Sequence, residues 1–301
     1  MQDRQHEPFH NLGLIMPVIN YGAATDRGLQ RSNNEDCHIC IPERGLWVVA
    51  DGMGGHEAGE VASAIVTETI ERSTANGKVL VDSIQLAHES VLAASAEGKG
   101  ATGMGSTVVA LQSNDNEYQV AWVGDSRAYL WCPDDSGGIL EQLSTDHSYV
   151  QLLLASGAIG EDEVNTHPDK NVITQCIGSV DVERVHVDSV KGLWDEKQWI
   201  LLCSDGLTDE LTDEDIAQVL CSSRTPRDAV AKLIQNALKN GGRDNVTVQV
   251  IESPLTQHSP FSFISDWLPH LLGNKKIDWP IYGFTLICFL LLCYWLLLTR
   301  Y

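Results

Sequence analysis

The stretch VVADGMGGHEAGEVAS, residues 48–63, decides how this chain is read. An apolar run ends in Asp51-Gly52, passes glycines at 54 and 55, and enters a segment where Val61, Ile65, Val66, Thr69 and Ile70 share one helical stripe. The same word returns at 199–211 as WILLCSDGLTDEL, a second apolar strand that ends in Asp205-Gly206. A single Asp-Gly after a strand is ordinarily a turn. Two of them, each closing an apolar strand, ask for a shared reason.

Two further acids stand at strand ends. Asp244 precedes a strand in GGRDNVTVQV (241–250), and Glu35 and Asp36 open another in RSNNEDCHI (31–39). Carboxylates at strand ends can converge where two sheets meet, and so many close negative charges are unstable without a compensating cation. Hard oxygen ligands select Mg²⁺ or Mn²⁺ over zinc or copper. A glycine after the aspartate lets the backbone come close and present a carbonyl.

With 301 residues, 43% of them apolar, the chain can bury one sizeable core and carry a small appendage. The formal charge is −21, and residues 255–301 hold two acids and three bases, which leaves −22 on the first 254. That surface repels nucleic acid, whose binding needs cations to displace counterions from phosphates. Most of the carboxylates read as a solvating surface. Of the eight cysteines, Cys176 and Cys203 lie in apolar-rich runs and Cys288 and Cys293 in an apolar tail, the pattern of free thiols in a reducing compartment. CHIC at 37–40 brings Cys37, His38 and Cys40 together as half a zinc site would, but no second Cys or His pair stands at matching spacing.

LWVVA (46–50), STVVAL (106–111), YQVAWV (118–123), WILLC (199–203) and NVTVQV (245–250) read as strands. Helices are expected over 60–73 and over 226–240, with Pro226 in a first turn, and TDEDIAQ (212–218) has a helix-start pattern. Residues 144–171 mix a short helical pattern with loop residues and read as a surface subdomain. After Glu252 the composition becomes that of a linker, 253–279, carrying an amphipathic patch FSFISDWLPHLL (261–272). Residues 280–298, PIYGFTLICFLLLCYWLLL, contain no charge and match a hydrocarbon core about 30 Å thick, so a single membrane-spanning helix is expected. Lys275 and Lys276 before it, against Arg300 after it, favour a cytoplasmic N-terminal side. Residues 1–19 lack a secretory pattern and read as an extension.

TDRGLQRSNNEDC, VVADGMGGH, GMGSTVVAL, AWVGDSRAYL, LLCSDGLTD and GGRDNVTVQV occur in that order. Over residues 20–252 the chain resembles the PP2C-type (PPM) metal-dependent protein serine/threonine phosphatases, the bacterial ones especially. The resemblance implies an α+β fold, a β-sandwich flanked by helices in four α/β/β/α layers, with a two-metal centre in the cleft between the sheets. Two Mn²⁺ or Mg²⁺ ions would be tightly held. Asp51 would bridge them, the Gly52 carbonyl would bind one, and Asp205 and Asp244 would complete the other site. Asp36 would act through coordinated water with Glu35 close by, and Arg31 would grip the substrate phosphate. Asp125, in VGDSR, could simply cap a turn, but the resemblance implies that it joins Asp205 at a weaker third ion.

The chemistry agrees with that picture. Two divalent ions about 3.5–4 Å apart can acidify a shared water and aim it at phosphorus, so no covalent phosphoenzyme is needed. An arginine can hold a phosphate bidentately. The implied substrates are phosphorylated proteins and the implied partner is an opposing serine/threonine kinase. With the tail, the expected place is the inner face of a bacterial inner membrane.

One departure from the animal members is Met53, where they carry a histidine proposed as general acid; His56, three residues on, and a metal-bound water are the alternative proton donors. GMGST (103–107) lacks the Lys-Ser/Thr of a phosphate-binding P-loop. Two rival readings are a different metal-dependent hydrolase and a non-catalytic phosphoprotein-binding module that retains the fold. The acidic surface opposes a nuclease, and retention of Asp51, Asp205 and Asp244 opposes a module without activity.

Overall fold

In the computed structural model, residues 19–54, 58–134, 137–164 and 166–256 are described. Two antiparallel sheets lie face to face and each is backed by helices. One sheet runs, in spatial order, β1 (Tyr21–Asp26), β11 (Val246–Glu252), β10 (Trp199–Cys203), β7 (Arg127–Cys132) and β8 (Ile139–Gln142). The other runs β2 (Asp36–Ile41), β3 (Leu46–Met53), β5 (Val108–Asn114), β6 (Glu117–Val123) and β9 (Asp188–Leu193), with the short β4 (Gly105–Ser106) paired to the end of β3. Helices α1 (Ala58–Ala75) and α2 (Leu80–Ala96) cover the second sheet. The first is covered by α5 (Asp205–Thr208), α6 (Asp213–Cys221) and α7 (Pro226–Asn240). Between β8 and β9 the chain forms α3 (Tyr149–Ala155) and α4 (Glu161–Val164).

The four layers explain why the central strands read as unbroken apolar runs. Successive side chains of a strand point to opposite faces. In β3, Leu46, Val48 and Ala50 pack under α1 and α2, while Trp47 and Val49 face the other sheet. In β10, Ile200 and Leu202 meet them there, and Trp199, Leu201 and Cys203 turn toward α6 and α7. Every one of these positions is apolar because neither face of the strand sees water. Helix α1 presents Ala62, Val66 and Ile70 to the same core, all fully buried. Truncating Ile70 to alanine would cost about 2–5 kcal/mol through lost contacts and an incompletely collapsed cavity.

The helix ends follow local chemistry. Thr225 caps α7 by accepting from the Asp228 N–H, Pro226 opens it, and Gly241 at φ 153° ends it. Thr212 and Asp215 form a reciprocal capping box at the start of α6. STVVAL is not one strand. Thr107 breaks it, its hydroxyl accepting from the Asp51 N–H at 3.2 Å and pairing with Ser126 at 2.7 Å. Residues before the break therefore pair with Gly52–Met53 and those after it with Leu46–Val49.

Residues 144–148, expected on the surface, are buried apart from Thr145. This strap is laced to β6 in one sheet and β7 in the other. Ala128 donates to the Ser144 hydroxyl at 3.0 Å, the Trp122 indole donates to the Thr145 carbonyl at 2.9 Å, and Arg127 pairs with Asp146 at 2.7 Å. The exposed subdomain starts only at α3. Among the described residues no helix is long and apolar enough to cross a membrane. The span expected at 280–298, the stretch 257–279 before it and residues 1–18 lie outside the described residues.

Candidate active site

The acids named from the sequence come to one end of the sandwich. Asp36 and Asp51 are opposite each other in the β2–β3 ladder. Asp205 follows β10 and Asp244 precedes β11, the neighbouring strands of the other sheet. Between them lies a cleft of about 500 Å³ whose wall includes Arg31, Glu35, Asp51, Gly52, Asp125, Asp205 and Asp244. Asp36 lies behind that wall. Its Oδ2 accepts from the Ser204 hydroxyl at 2.8 Å and the Thr247 hydroxyl at 2.6 Å, so this one carboxylate joins the two sheets.

Asp51, Asp125, Asp205 and Asp244 each keep some surface on the cleft. Burial still desolvates the first three. Burial pushes Asp36 up to about 7, against the lowering effect of its two hydroxyl donors. Asp51 lies well above the usual carboxylate range through burial and then repulsion from Asp36, Asp205, Asp125 and Asp244. Burial and the charge of Asp205 raise Asp125 to about 8, and burial with Asp244 raises Asp205 to about 6. Glu35 is raised as well, chiefly by desolvation, with Arg31 opposing. The cluster is short of positive charge.

The two glycines have no room for a side chain. A Cβ on Gly52 would stand 2.1 Å from the Gly59 carbonyl oxygen and 2.6 Å from that of Glu35. On Gly206 it would stand 2.0 Å from the carbonyl oxygen of Asn245. Met53 follows Gly52 on the cleft wall, and His56 lies outside the described residues.

Arg31 reaches across the cleft mouth, where its Nη2 lies 2.5 Å from Asp244 Oδ2. Asn245 was not singled out from the sequence, yet it organises this loop. Its amide donates to the carbonyls of Arg27 and Asn33, both at 2.9 Å, and its Oδ1 accepts from the Glu35 N–H at 2.7 Å. Ser204, Thr247 and Thr107 were missed too. Their signal was a hydroxyl inside or beside a buried apolar strand, a place where an unpaired polar group is costly. From the subdomain, Asn171 and Ile173 form part of the cleft wall, and Lys170 and Asn171 hold Asp209 at 2.8 and 3.0 Å.

CHIC does not form a ligand set. The Cys37 thiol lies 3.2 Å from Thr67 of α1, whereas His38 and Cys40 border a separate cavity with Tyr21 and Arg227. The i, i+1 alternation of β2 separates them.

The site fits hard divalent cations. Asp36 Oδ1 and Asp205 Oδ1 are buried with no hydrogen-bond partner. Two such oxygens amid raised carboxyls and a glycine whose backbone has no Cβ to shield it are what oxygen-ligated ions need. Among the described residues no three carboxylate, imidazole or thiol groups close up into a ligand set by themselves.

Residues 23–152 match the family model described as protein phosphatase 2C. The serine/threonine phosphatase stp of Listeria monocytogenes is 34% identical across 77% of this chain and 95% of its own length. The crystal structure of the Mycobacterium tuberculosis serine/threonine phosphatase PstP/Ppp superposes with a TM-score of 0.70 at 33% identity, covering 80% of this chain and all of that one. The catalytic domain of PstP in complex with two manganese ions gives a TM-score of 0.67 at 33% identity, over 78% of this chain and 98% of that one.

Proposed function

The chain belongs to the protein phosphatase 2C family, and from that premise we propose that it hydrolyses phosphoserine and phosphothreonine in proteins. The observation that carries this reading is the convergence of Asp51, Asp205 and Asp244 on one cleft beside Arg31. Asp51, the Gly52 carbonyl, Asp205 and Asp244 would hold two Mn²⁺ or Mg²⁺ ions, Asp36 acting through water with Glu35 nearby. Asp125, with Asp205, would hold a weaker third. When bound, the ions supply an acidified water as nucleophile and positive charge for the phosphoryl oxygens.

The chain's own residues do the rest. Arg31 swings from Asp244 to grip the substrate phosphate with its planar fork and fixes the phosphorus in line for attack. Asp36, held by Ser204 and Thr247 through Oδ2, keeps its buried Oδ1 without a hydrogen-bond partner. Met53 has no proton to give the leaving serine or threonine oxygen. His56→Gln decides whether His56 or solvent supplies it, through the alkaline limb of the kcat profile.

The test is turnover of an aryl phosphate and a phosphothreonine peptide with Mn²⁺, with Mg²⁺ and with excess chelator. Activity confined to the metal-loaded protein supports the reading, and full turnover in chelator sinks it. Phosphopeptide binding without turnover would instead favour a non-catalytic module. The sequence at 280–298 further supports an anchor that holds the catalytic domain at the cytoplasmic face of a bacterial inner membrane, where it opposes a serine/threonine kinase. C-terminal reporter fusions with cell fractionation test this, and a soluble full-length protein would overturn it.

A further inference from the structure

We propose that His147 is a positioning residue of the cleft, fixing the Gly124–Asp125 turn and through it the Asp125 carboxylate. The inference rests on the reading above, in which Asp125 serves the site. Gly124 has φ 107°, a conformation that glycine adopts freely but does not by itself enforce. It needs an outside hold, and His147 takes both of its backbone groups. The Gly124 N–H donates to His147 Nδ1 at 3.2 Å, and the His147 N–H donates to the Gly124 carbonyl at 2.9 Å.

The ring is itself held. Because Nδ1 accepts, the proton sits on Nε2, which donates to Asp188 Oδ2 at 3.0 Å. The imidazole is thereby fixed in one tautomer and orientation. His186 approaches the other oxygen of Asp188 at 2.9 Å, and Thr174 donates to the His147 carbonyl at 2.7 Å. Buried to 8% exposure, His147 thus ties three pieces of chain to the turn that carries Asp125: the strap 144–148, the segment after the subdomain, and β9. On the far side, Thr107 leaves Gly124 no room to move inward, since a Cβ there would stand 2.7 Å away. Nothing in the proposed chemistry uses the imidazole directly, so its contribution is geometric.

Two substitutions separate a positioning role from simple packing. The Oδ1 of His147→Asn stands where Nδ1 does and can accept from Gly124. His147→Gln is closer in bulk but puts its amide where Nε2 lies and loses that acceptor. With a small aryl phosphate and saturating Mn²⁺, His147→Ala and His147→Gln should lower kcat about tenfold, the worth of one lost hydrogen bond in the reacting geometry. KM should change less than about twofold, and His147→Asn should recover most of kcat. In an Asp125→Ala background, His147→Ala should add almost nothing, because the group it positions is gone.

Multiplicative losses in the double variant, or equal rescue by Asn and Gln, would overturn the inference while leaving the role of Asp125 intact. An unchanged kcat in Asp125→Ala alone would overturn that role and the inference together. Thermal midpoints recorded beside the kinetics identify any variant that fails to fold. If His147→Ala is such a variant, the Asn and Gln pair carries the test, in both backgrounds.

Discussion

Asp51-Gly52 and Asp205-Gly206 are the same dipeptide in two different backbones. The first lies inside β3, which continues as strand to Met53. The second opens α5, with Ser204 as its N-cap. What they share is not a turn type but a packing demand: in each, a carbonyl oxygen from a distant segment occupies the place of a Cβ. Glycine is there for close approach between backbones, and the aspartate before it is delivered to the cleft from a strand or from a helical first turn alike.

The largest effect that could break this equivalence is on turnover. Asp51→Asn and Asp205→Asn should each lower kcat by about a thousandfold or more, since each removes charge needed to hold the ions that activate water. A large loss in only one of them would show that the two aspartates are not equal partners. Next in size are the glycines. Gly52→Ala and Gly206→Ala should each destabilise the fold by about 1–3 kcal/mol, the usual cost of forcing a methyl into filled space. Urea unfolding reads this, and a variant as stable as the parent would remove the packing argument at that position.

A smaller effect concerns pH. Asp36, Asp51, Asp125 and Asp205 have folded pKa values above their unfolded ones, so the folded, ion-free protein binds more protons than the unfolded chain. Its stability is then greatest at low pH with respect to these groups and is lost as pH rises through their folded values. Between about pH 6 and 8 ordinary carboxylates no longer titrate, so the thermal midpoint of chelator-treated protein should fall across that window. Added Mn²⁺ should flatten the slope, and a midpoint that rises from pH 6 to 8 without metal would contradict the charge picture.

The smallest effect belongs to the helical dipeptide alone. Asp209, one turn beyond Asp205, binds Lys170 and Asn171 and so ties the subdomain to the cleft. Lys170→Ala removes a part-exposed ion pair worth about 0.2–1 kcal/mol. Peptide KM should shift a few-fold while aryl phosphate turnover stays put. Equal changes for both substrates would count against a subdomain that selects peptides.

The acids were legible in the sequence because each sits where a strong local signal ends. The strands expected at 118–123, 199–203 and 245–250 exist within a residue or two, and the one expected at 46–50 runs on through Asp51-Gly52 to Met53; burial on both faces makes their centres uniformly apolar. The helix at 226–240 was marked by its first-turn proline and its apolar periodicity, and Thr225 proves to cap it. Strand β1, YGAATD, had no such mark. Its small residues are dictated by α7, for a Cβ on Gly22 would stand 2.6 Å from the Pro226 carbonyl oxygen. The burial of edge strand β9, DSVKGL, alternates strictly, but Asp188 and Gly192 stand on its inner side and Leu193 on its exposed side, so its polarity does not. The strap 144–148 was read as surface because Ser, Thr, Asp, His and Ser look like loop; the side chains of Ser144, Asp146, His147 and Ser148 are each hydrogen-bonded, and only Thr145 is exposed. Tertiary hydrogen bonds of this kind leave no periodicity.

Strand β11 is last of the described strands in sequence, yet lies between β1 and β10 in its sheet. During synthesis from the N-terminus, β1 must wait for it: Tyr21 pairs with Ile251 and Asp26 with Val246, so the partners are made at opposite ends of the domain. Such non-local closure is slow, since the entropy of joining distant segments is lost before their contacts form. Thr247, which anchors Asp36, and Asp244 arrive with the same late segment. A nascent or truncated chain that lacks this strand therefore has neither Asp244 nor the hydroxyl that anchors Asp36, and its cleft is complete only once the last strand docks.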